Sequence, residues 1–261
     1  MSLDLLTSPL LAGESGLVHA FTTRAGGVSE GPYASLNMTR SRGDSAEHVA
    51  TNRGRVREAL GLDHLAFAIQ VHGNAVVRVD AAPKGDQAAG EADAMITDRP
   101  GIGLVCQTAD CTPILILDPK RRAVAAIHSG WRSTVLDIVG ETIAAMAREY
   151  GSEPGDLIAA IGPSISAANY RVGPEVVAQF EAVFADAGGI LSARDDEGGA
   201  QLDVGEACRR QLLSAGLQAE KIERSQLCTY AEEGRLFSAR RAHHRGQSGI
   251  FGGQAGIIGL R

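Results

Sequence analysis

The sequence is poor in aromatic residues, in cysteine and in excess basic charge, and each shortage excludes a class of protein. Aromatic residues make up 4% of the 261 positions, and 25 lysines and arginines are outnumbered by 31 aspartates and glutamates. Because nucleic-acid-binding surfaces need clustered basic charge and stacking side chains, no nucleic-acid partner is expected. The four cysteines are too few and too scattered for a disulfide framework in a chain of this size. We expect free thiols, one of which could serve as a ligand.

Long apolar runs are also missing. No stretch approaches about eighteen unbroken apolar residues, and the opening MSLDLLTSPLLAG has neither a basic start nor a long apolar core. We therefore expect no membrane segment and, by default, a cytoplasmic location. The chain does contain 44% hydrophobic residues and 32 glycines. Since no linker interrupts the sequence, a single domain over residues 1–261 is favoured.

Short apolar segments bounded by turn residues recur along the chain, together with a few amphipathic stretches. The segments predicted as strands are AFAIQVH, AVVRVD, AMIT, GIGLVCQ, PILILD, AVAAIHS, LIAAIG, IERSQLCTY, LFSARR and AGIIGL. The predicted helices are STVLDIVGETIAAMAREYG, PEVVAQFEAVFADAG and GEACRRQLLSAG. Several strands are apolar on both faces. The pattern therefore predicts a layered α+β domain in which sheet packs on sheet and helices lie outside.

The strands PILILD and AVAAIHS are joined by residues 118–121, with the sequence DPKR. Proline cannot take the positive φ of a two-residue primed turn, so we predict a four-residue loop built on a type I turn, with Leu117 paired to Arg122. In that register Cys111 lies directly across from His128, with Cβ atoms about 4.5–5.5 Å apart. A three-residue loop would place the two side chains on opposite faces of the hairpin.

A third candidate ligand comes from AIQVHGN, another apolar strand that ends in histidine and glycine. His72, Cys111 and His128 provide two imidazoles and one thiolate, a donor set that zinc accepts, and three protein ligands leave a fourth position open for water or substrate. Their spacing matches no compact metal motif, so each histidine could equally be a hydrogen-bonded core residue. Asp110, next to the cysteine, could orient a ligand or cap the turn.

Several blocks of the sequence together resemble the YfiH-like laccase-domain family. These blocks are QVHG at 70–73, ADA at 92–94, TADCTPILILD at 108–118, AIHSGWRST at 126–134 and IGPSIS at 161–166. TTRAGGVSEGPYASLN near the start and LCTYAEEGRLFSARR near the end extend the likeness over almost the whole chain. The family is described as zinc-dependent purine nucleoside phosphorylases with several activities, formerly regarded as polyphenol oxidases.

The resemblance implies one domain with an α-β-β-α four-layer sandwich, and it implies His72, Cys111 and His128 as the metal and catalytic residues. It also implies Asn37 and Arg53 as contacts for substrate or phosphate, and Arg24 is a further candidate for binding phosphate. The implied activity is phosphorolysis of adenosine, inosine, guanosine and methylthioadenosine with inorganic phosphate as co-substrate, accompanied by adenosine deamination. The oligomeric state is left open.

The sequence departs from the family pattern at two places. Ser164, Ser166 and Ala168 stand in a block that is usually rich in cysteine. Residues 252–255 read GGQA where GRQA is usual, and the lost arginine removes a possible anion contact.

Two other classes of function are compatible with the same residues. Cys111 could be the nucleophile and His128 the base of a cysteine amidase acting on peptidoglycan precursors. A copper polyphenol oxidase is implied only by the older family name, and copper is the weaker choice of metal because seven scattered histidines are few for a multicopper enzyme.

Overall fold

The computed structural model describes residues 2–40, 42–82 and 89–261, and in these ranges the strands form two large sheets and one small sheet. The strands are β1 (Leu5–Leu6), β2 (Leu17–Thr22), β3 (His64–Phe67), β4 (Val76–Arg78), β5 (Ala94–Thr97), β6 (Ile102–Thr108), β7 (Thr112–Asp118), β8 (Ala123–Ser129), β9 (Ile158–Ile161), β10 (Arg171–Val172), β11 (Leu191–Ser192), β12 (Ala200–Leu202), β13 (Ile222–Arg224) and β14 (Gln254–Leu260). The helices are α1 (Pro9–Ala12), α2 (Ala46–Leu60), α3 (Trp131–Val135), α4 (Ile138–Tyr150), α5 (Pro174–Val183), α6 (Val204–Ser214) and α7 (Ala239–His244).

Both large sheets mix parallel and antiparallel pairs. The first sheet has the strand order β1-β2-β14-β6-β3, and the second has the order β13-β9-β7-β8-β5-β4. β14 is antiparallel to β2 and β6, whereas β3 is parallel to β6. In the second sheet β7 is antiparallel to β8 and β9. Within the described ranges, no helix is long and apolar enough to span a bilayer.

Neighbouring residues of β7 show how the layers stack. Ile116 belongs to a buried cluster that includes Ile143 and Met146 of α4, and residues of α6 complete this side. Leu117, one position further along, packs instead with Leu104 of β6 and Ile258 of β14 in the first sheet. Because side chains alternate across a strand, β7 is buried on both faces, which explains why PILILD reads as a continuous apolar run.

The fourth layer is α2, which covers the outer face of the first sheet. Its residues Val56 and Leu60 pack against Phe67, Val105 and Ile257 of that sheet. The order of layers is therefore α2, first sheet, second sheet, and α4 with α6, so the predicted layered α-β-β-α fold is confirmed.

Three strand predictions are wrong in their extent or placement. IERSQLCTY forms a strand only over Ile222–Arg224, in β13. LFSARR does not form a strand, because α7 begins within it: Ser238 accepts a hydrogen bond from the Arg241 backbone N–H and caps the helix. AFAIQVH forms a strand only as far as Phe67 in β3. Beyond it Ile69 and Val71 are about half exposed, and His72 takes a positive φ of 61° that ends the extended run.

The helix predicted over 133–151 is two helices. α3 begins at Trp131, and Asp137 with a φ of 55° separates it from α4. The Asp137 side chain accepts a hydrogen bond from Gly140 N and so starts the second helix. No segment was predicted for α2 or β2, since neither carries a strongly periodic apolar pattern.

Candidate metal centre and substrate cavity

The structure brings His72, Cys111 and His128 together from three separate segments. His72 lies in the loop after β3, Cys111 directly precedes β7, and His128 is near the end of β8. Their potential ligand atoms all lie within 4.8 Å of one another, and Cys111 Sγ is 3.8 Å from His72 Nε2. His128 is buried, Cys111 is half-buried and His72 is exposed, so the group is open to solvent on the His72 side.

The chemistry and spacing of this donor set fit a zinc ion. With Zn–S of about 2.3 Å and Zn–N of about 2.0–2.1 Å, tetrahedral coordination separates S and N by about 3.6 Å, so the 3.8 Å between Cys111 Sγ and His72 Nε2 needs almost no adjustment. Ligand atoms as far apart as 4.8 Å would have to approach by about 1 Å when the ion binds. Gly130 makes room for the ligands, because a Cβ at this position would lie 2.8 Å from His72 Cδ2 and 3.2 Å from Cys111 Sγ. Any larger residue at this position would displace one of the two side chains.

Asp93, for which the sequence alone predicted no role, holds two of the three candidate ligands in place. Its Oδ1 is 2.8 Å from His128 Nδ1, which leaves Nε2 as the free ring nitrogen of His128. The same carboxylate accepts hydrogen bonds from the backbone N–H groups of His72 at 3.0 Å and Gly73 at 2.6 Å. The signal was present in ADA, where an acidic residue directly precedes the buried strand β5, but the partners of Asp93 are distant in sequence.

The site is strongly polarised even without a metal. Burial opposes ionisation of Cys111, but the positive charge of His128 and hydrogen bonds from both histidines lower the pKa of this thiol to about 6. Burial also opposes protonation of His128, but the Cys111 charge and the hydrogen bond to Asp93 raise the pKa of His128 to about 9. In the metal-free protein, therefore, a thiolate faces an imidazolium near neutral pH.

The predicted register of the β7–β8 hairpin is wrong by two residues. Leu117 pairs with Val124 rather than Arg122, and His128 lies across from Pro113 rather than from Cys111. The loop does have four residues, but it starts one position later, because Arg122 takes a left-handed φ of 50° and stays outside the ladder. Cys111 lies just before the first residue of β7, so it approaches His128 from the preceding turn.

Asp110 does not contact the candidate ligands directly. Its carboxylate accepts hydrogen bonds from Thr229 Oγ1 and from the Arg240 backbone N–H, each at 2.6 Å. Because Asp110 has a φ of 99°, these bonds hold a strained backbone position immediately before Cys111. Asp110 thus fixes the turn that carries the thiol.

Beside the three candidate ligands lies a cavity of about 290 Å³, close to the lower end of the usual size of small-molecule pockets, which is roughly 300 Å³. Its wall includes Thr39, Arg40, Arg42, Arg53, Gln70 and Gln107. Three guanidinium groups thus surround the cavity, and no aspartate or glutamate is among its described wall residues.

The predicted substrate contacts occupy three different settings. Arg53 lines the cavity; it is buried, donates to Met38 O and stacks over Phe67 at 3.8 Å. Asn37 is fully buried, and both ends of its amide are used in hydrogen bonds to Thr39 and other groups of the protein. Arg24 lies on a separate cavity that also contains Glu233, and it donates to backbone oxygens there.

The fold and the site define a layered α+β protein with a His-Cys-His centre beside a basic cavity. Residues 18–261 match the family model described as "Multi-copper polyphenol oxidoreductase laccase", and the chain belongs to this family, as its resemblance to the YfiH-like proteins predicted.

Relatives of known sequence and structure agree with this assignment. The chain is 39% identical over 240 residues to a protein named purine nucleoside phosphorylase from Bacteroides thetaiotaomicron, with 88% of each chain covered. It is 40% identical over 242 residues to purine nucleoside phosphorylase Cgl2154/cg2365 of Corynebacterium glutamicum, with 92% of this chain and 93% of the relative covered. The crystal structure of YlmD from Geobacillus stearothermophilus matches with a TM-score of 0.89 at 33% identity, covering 97% of this chain and 94% of that one.

Proposed function

We propose that this protein is a zinc-dependent purine nucleoside phosphorylase, built as one domain over the whole chain. The observation that carries the proposal is the cluster of three ligand atoms within 4.8 Å beside a cavity lined by arginines. The names of the similar bacterial proteins support the reaction. The proposed substrates are adenosine, inosine, guanosine and methylthioadenosine. All four cysteines are free, which fits a reducing compartment such as the cytoplasm.

Phosphorolysis makes specific demands on the site. A phosphate oxygen forms a bond to C1′ of the nucleoside while the bond from C1′ to the base nitrogen breaks, so the site must hold an anion next to a sugar. Zinc bound to His72, Cys111 and His128 would supply a Lewis acid that polarises a bound oxygen. Arg53 supplies a fixed guanidinium, because Met38 O and the Phe67 ring hold it in place.

Adenosine deamination is proposed as a side activity of the same centre. Here water attacks C6 of the purine and ammonia leaves, so no phosphate is consumed. Asp93 contributes to either reaction by fixing the ring of His128 and the backbone of His72.

A cysteine hydrolase acting on peptidoglycan precursors is the second candidate, and one observation favours it. Cys111, His128 and Asp93 form a nucleophile, base and orienting carboxylate, and the pKa of Cys111 is lowered to about 6. A copper oxidase has less support, because among the described residues only one cluster of three His, Cys or acidic side chains has the spacing of a metal site.

The test is a product screen on purified protein with its metal content measured. Incubation of each nucleoside with and without phosphate, followed by mass spectrometry, should show the sugar 1-phosphate and free base only when phosphate is present. The sugar product is ribose 1-phosphate, or 5-methylthioribose 1-phosphate from methylthioadenosine. Cys111→Ala should lose both bound zinc and phosphorolysis while it stays folded by circular dichroism. Full zinc retention by Cys111→Ala would reject the metal assignment, and amide cleavage by a zinc-free protein would support the hydrolase instead.

A further inference from the structure

A loop with two arginines forms part of the cavity wall and is fixed by buried hydrogen bonds. The arginine loop consists here of Thr39, Arg40, Arg42, Gly43 and Asp44. Asn37 Oδ1 accepts a hydrogen bond from Thr39 N at 3.0 Å, and Asn37 Nδ2 donates to Thr39 O at 3.0 Å and to Asp44 Oδ2 at 2.9 Å. One buried amide therefore ties together both ends of the loop. These bonds hold Thr39 and Asp44 in place before any ligand arrives.

Asn37 also joins the arginine loop to the segment that precedes β14. Asn37 Oδ1 also accepts a hydrogen bond from Gly253 N at 2.9 Å, and Met38 N donates to Gly253 O at 2.9 Å. These bonds bring the segment before β14 alongside the loop. Phe251 belongs to this segment and is 8% exposed.

Arg42 is held against that aromatic ring. The guanidinium carbon of Arg42 lies 3.9 Å from the centroid of Phe251, a stacking arrangement that fixes the plane of the fork. Within the described part of the chain, no oxygen accepts a hydrogen bond from the Arg42 guanidinium. Its donors are thus positioned but not used, unlike those of Arg53, which donate to Met38 O.

The arginines of the cavity wall favour an anionic ligand. Burial lowers the pKa of Arg42, while negative charge at Cys111 and Asp110 opposes that shift, so the group remains a cation. Asp110 is already engaged with Thr229 and with the Arg240 backbone. A doubly charged oxyanion in the cavity would therefore meet guanidinium groups without a competing carboxylate in the described wall.

We propose that Arg42, stacked on Phe251, binds a phosphate group in this cavity and acts with Arg53 to recognise it. The inference rests on the proposed function for the identity of the reaction, but phosphate binding itself can be measured without turnover. The phosphate is either inorganic phosphate or the 5′-phosphate of a nucleotide, since both present the same oxygens to a guanidinium fork.

The experiment is calorimetric titration of the zinc-loaded protein with inorganic phosphate and, separately, with adenosine 5′-monophosphate. Arg42→Gln should weaken the binding of phosphate at least tenfold, the loss typical of a charge-assisted hydrogen bond. Arg42→Lys keeps the charge without the planar fork and should show a smaller loss, which also guards against a folding defect in the first variant. Arg194→Gln is the matched control, because Arg194 is an exposed arginine paired with Glu181 and lies outside the cavity wall.

The outcomes separate the possible ligands and the two proposals. Weakened binding of inorganic phosphate assigns Arg42 to the co-substrate, and weakening only with the nucleotide assigns it to a 5′-phosphate. Wild-type affinity for both ligands in Arg42→Gln would overturn the inference. If neither the wild type nor the variants show phosphorolysis while Arg42→Gln binds phosphate more weakly than the wild type, the proposed function fails and the anion site stands.

Discussion

At the scale of single residues, Asp93 is the one carboxylate that contacts two of the candidate ligands in the described part of the chain. One carboxylate bonds the ring of His128 and the backbone of both His72 and Gly73, so it couples two candidate ligands that lie 56 positions apart in the sequence. Asparagine in its place would keep the size but offer an amide where a second acceptor is needed. His72 and His128 would then lose their common support.

We expect Asp93→Asn to lower the affinity for zinc about 10- to 100-fold, as is typical when the group behind a ligating histidine is lost. Competition with a coloured chelator measures this affinity directly. Asp80→Asn is a suitable control, because Asp80 is an exposed carboxylate paired with Arg78 away from the site. Equal zinc affinity in the two variants would mean that Asp93 does not support the ligands.

The titration of Cys111 gives a second prediction at this scale. In the metal-free protein the pKa of Cys111 is about 6, so the thiolate forms as the pH rises through 6 rather than through the ordinary value of about 8.5. Alkylation by iodoacetamide should therefore accelerate between about pH 5 and 7 and level off above that range. Burial raises the pKa of Cys106 to about 12 and that of Cys208 to about 11, so these buried thiols serve as unreactive internal controls.

Peptide mass spectrometry after timed alkylation would identify which cysteine reacts. A midpoint near 8.5 for Cys111 would contradict the histidine contacts that lower its pKa. Saturation with zinc should suppress the reaction, because a coordinated thiolate is a poorer nucleophile.

What the sequence could reveal depended on the range of the interactions involved. Cys111 and His128 were identified because both lie near a hairpin whose loop length follows from local turn chemistry. The role of Asp93 could not be found in this way, since its value arises from a contact with a strand 35 residues away. The structural role of Asn37 could not be predicted either. Its partner Gly253 is 216 residues away, so the sequence could not distinguish a buried structural amide from a substrate contact.

At the scale of elements, the β7–β8 hairpin shows why a correct loop length did not give the correct register. Asp118 Oδ1 accepts hydrogen bonds from Lys120 N and Arg121 N at 2.9 Å each, so Asp118 both closes the ladder and caps the turn. The fourth loop residue is Arg122 in a left-handed conformation, which non-glycine residues seldom adopt and which no local pattern predicts. A shift of two residues preserves the face of each side chain, so His128 still faces the site.

The junction between β8 and α3 yields the prediction at this scale. Gly130 caps α3, and a methyl group there would lie 2.8 Å from the ring of His72. Gly130→Ala should push the imidazole away and lower kcat/KM about 100-fold, since displacement of a catalytic group by about 1 Å has an effect of this size. Gly234→Ala is the matched control, because a Cβ at Gly234 would meet nothing within 4 Å.

The two variants should be compared by steady-state kinetics and by thermal unfolding. We expect Gly234→Ala to resemble the wild type in both. Full activity in Gly130→Ala would show that His72 is not needed in its observed position.

At the scale of the whole molecule, the candidate site draws on three of the four layers. His72 follows a strand of the first sheet, Cys111 and His128 come from the hairpin of the second sheet, and Arg53 extends from α2. The hydrophobic clusters that hold these layers together consist of other residues. The fold should therefore persist without metal, whereas a bound metal would join the two sheets at the site.

This arrangement predicts how zinc changes the stability of the protein. A ligand that binds only the folded state at 100 times its Kd adds about 2.7 kcal/mol to the free energy of unfolding. For a chain of this size the gain corresponds to a rise in Tm of roughly 5–10 °C, measurable by scanning calorimetry of chelator-treated and zinc-loaded protein. Cys111→Ala should unfold cooperatively but show little shift with zinc. A zinc-independent Tm in the wild type, or an equal shift in Cys111→Ala, would place the stabilising metal elsewhere in the molecule.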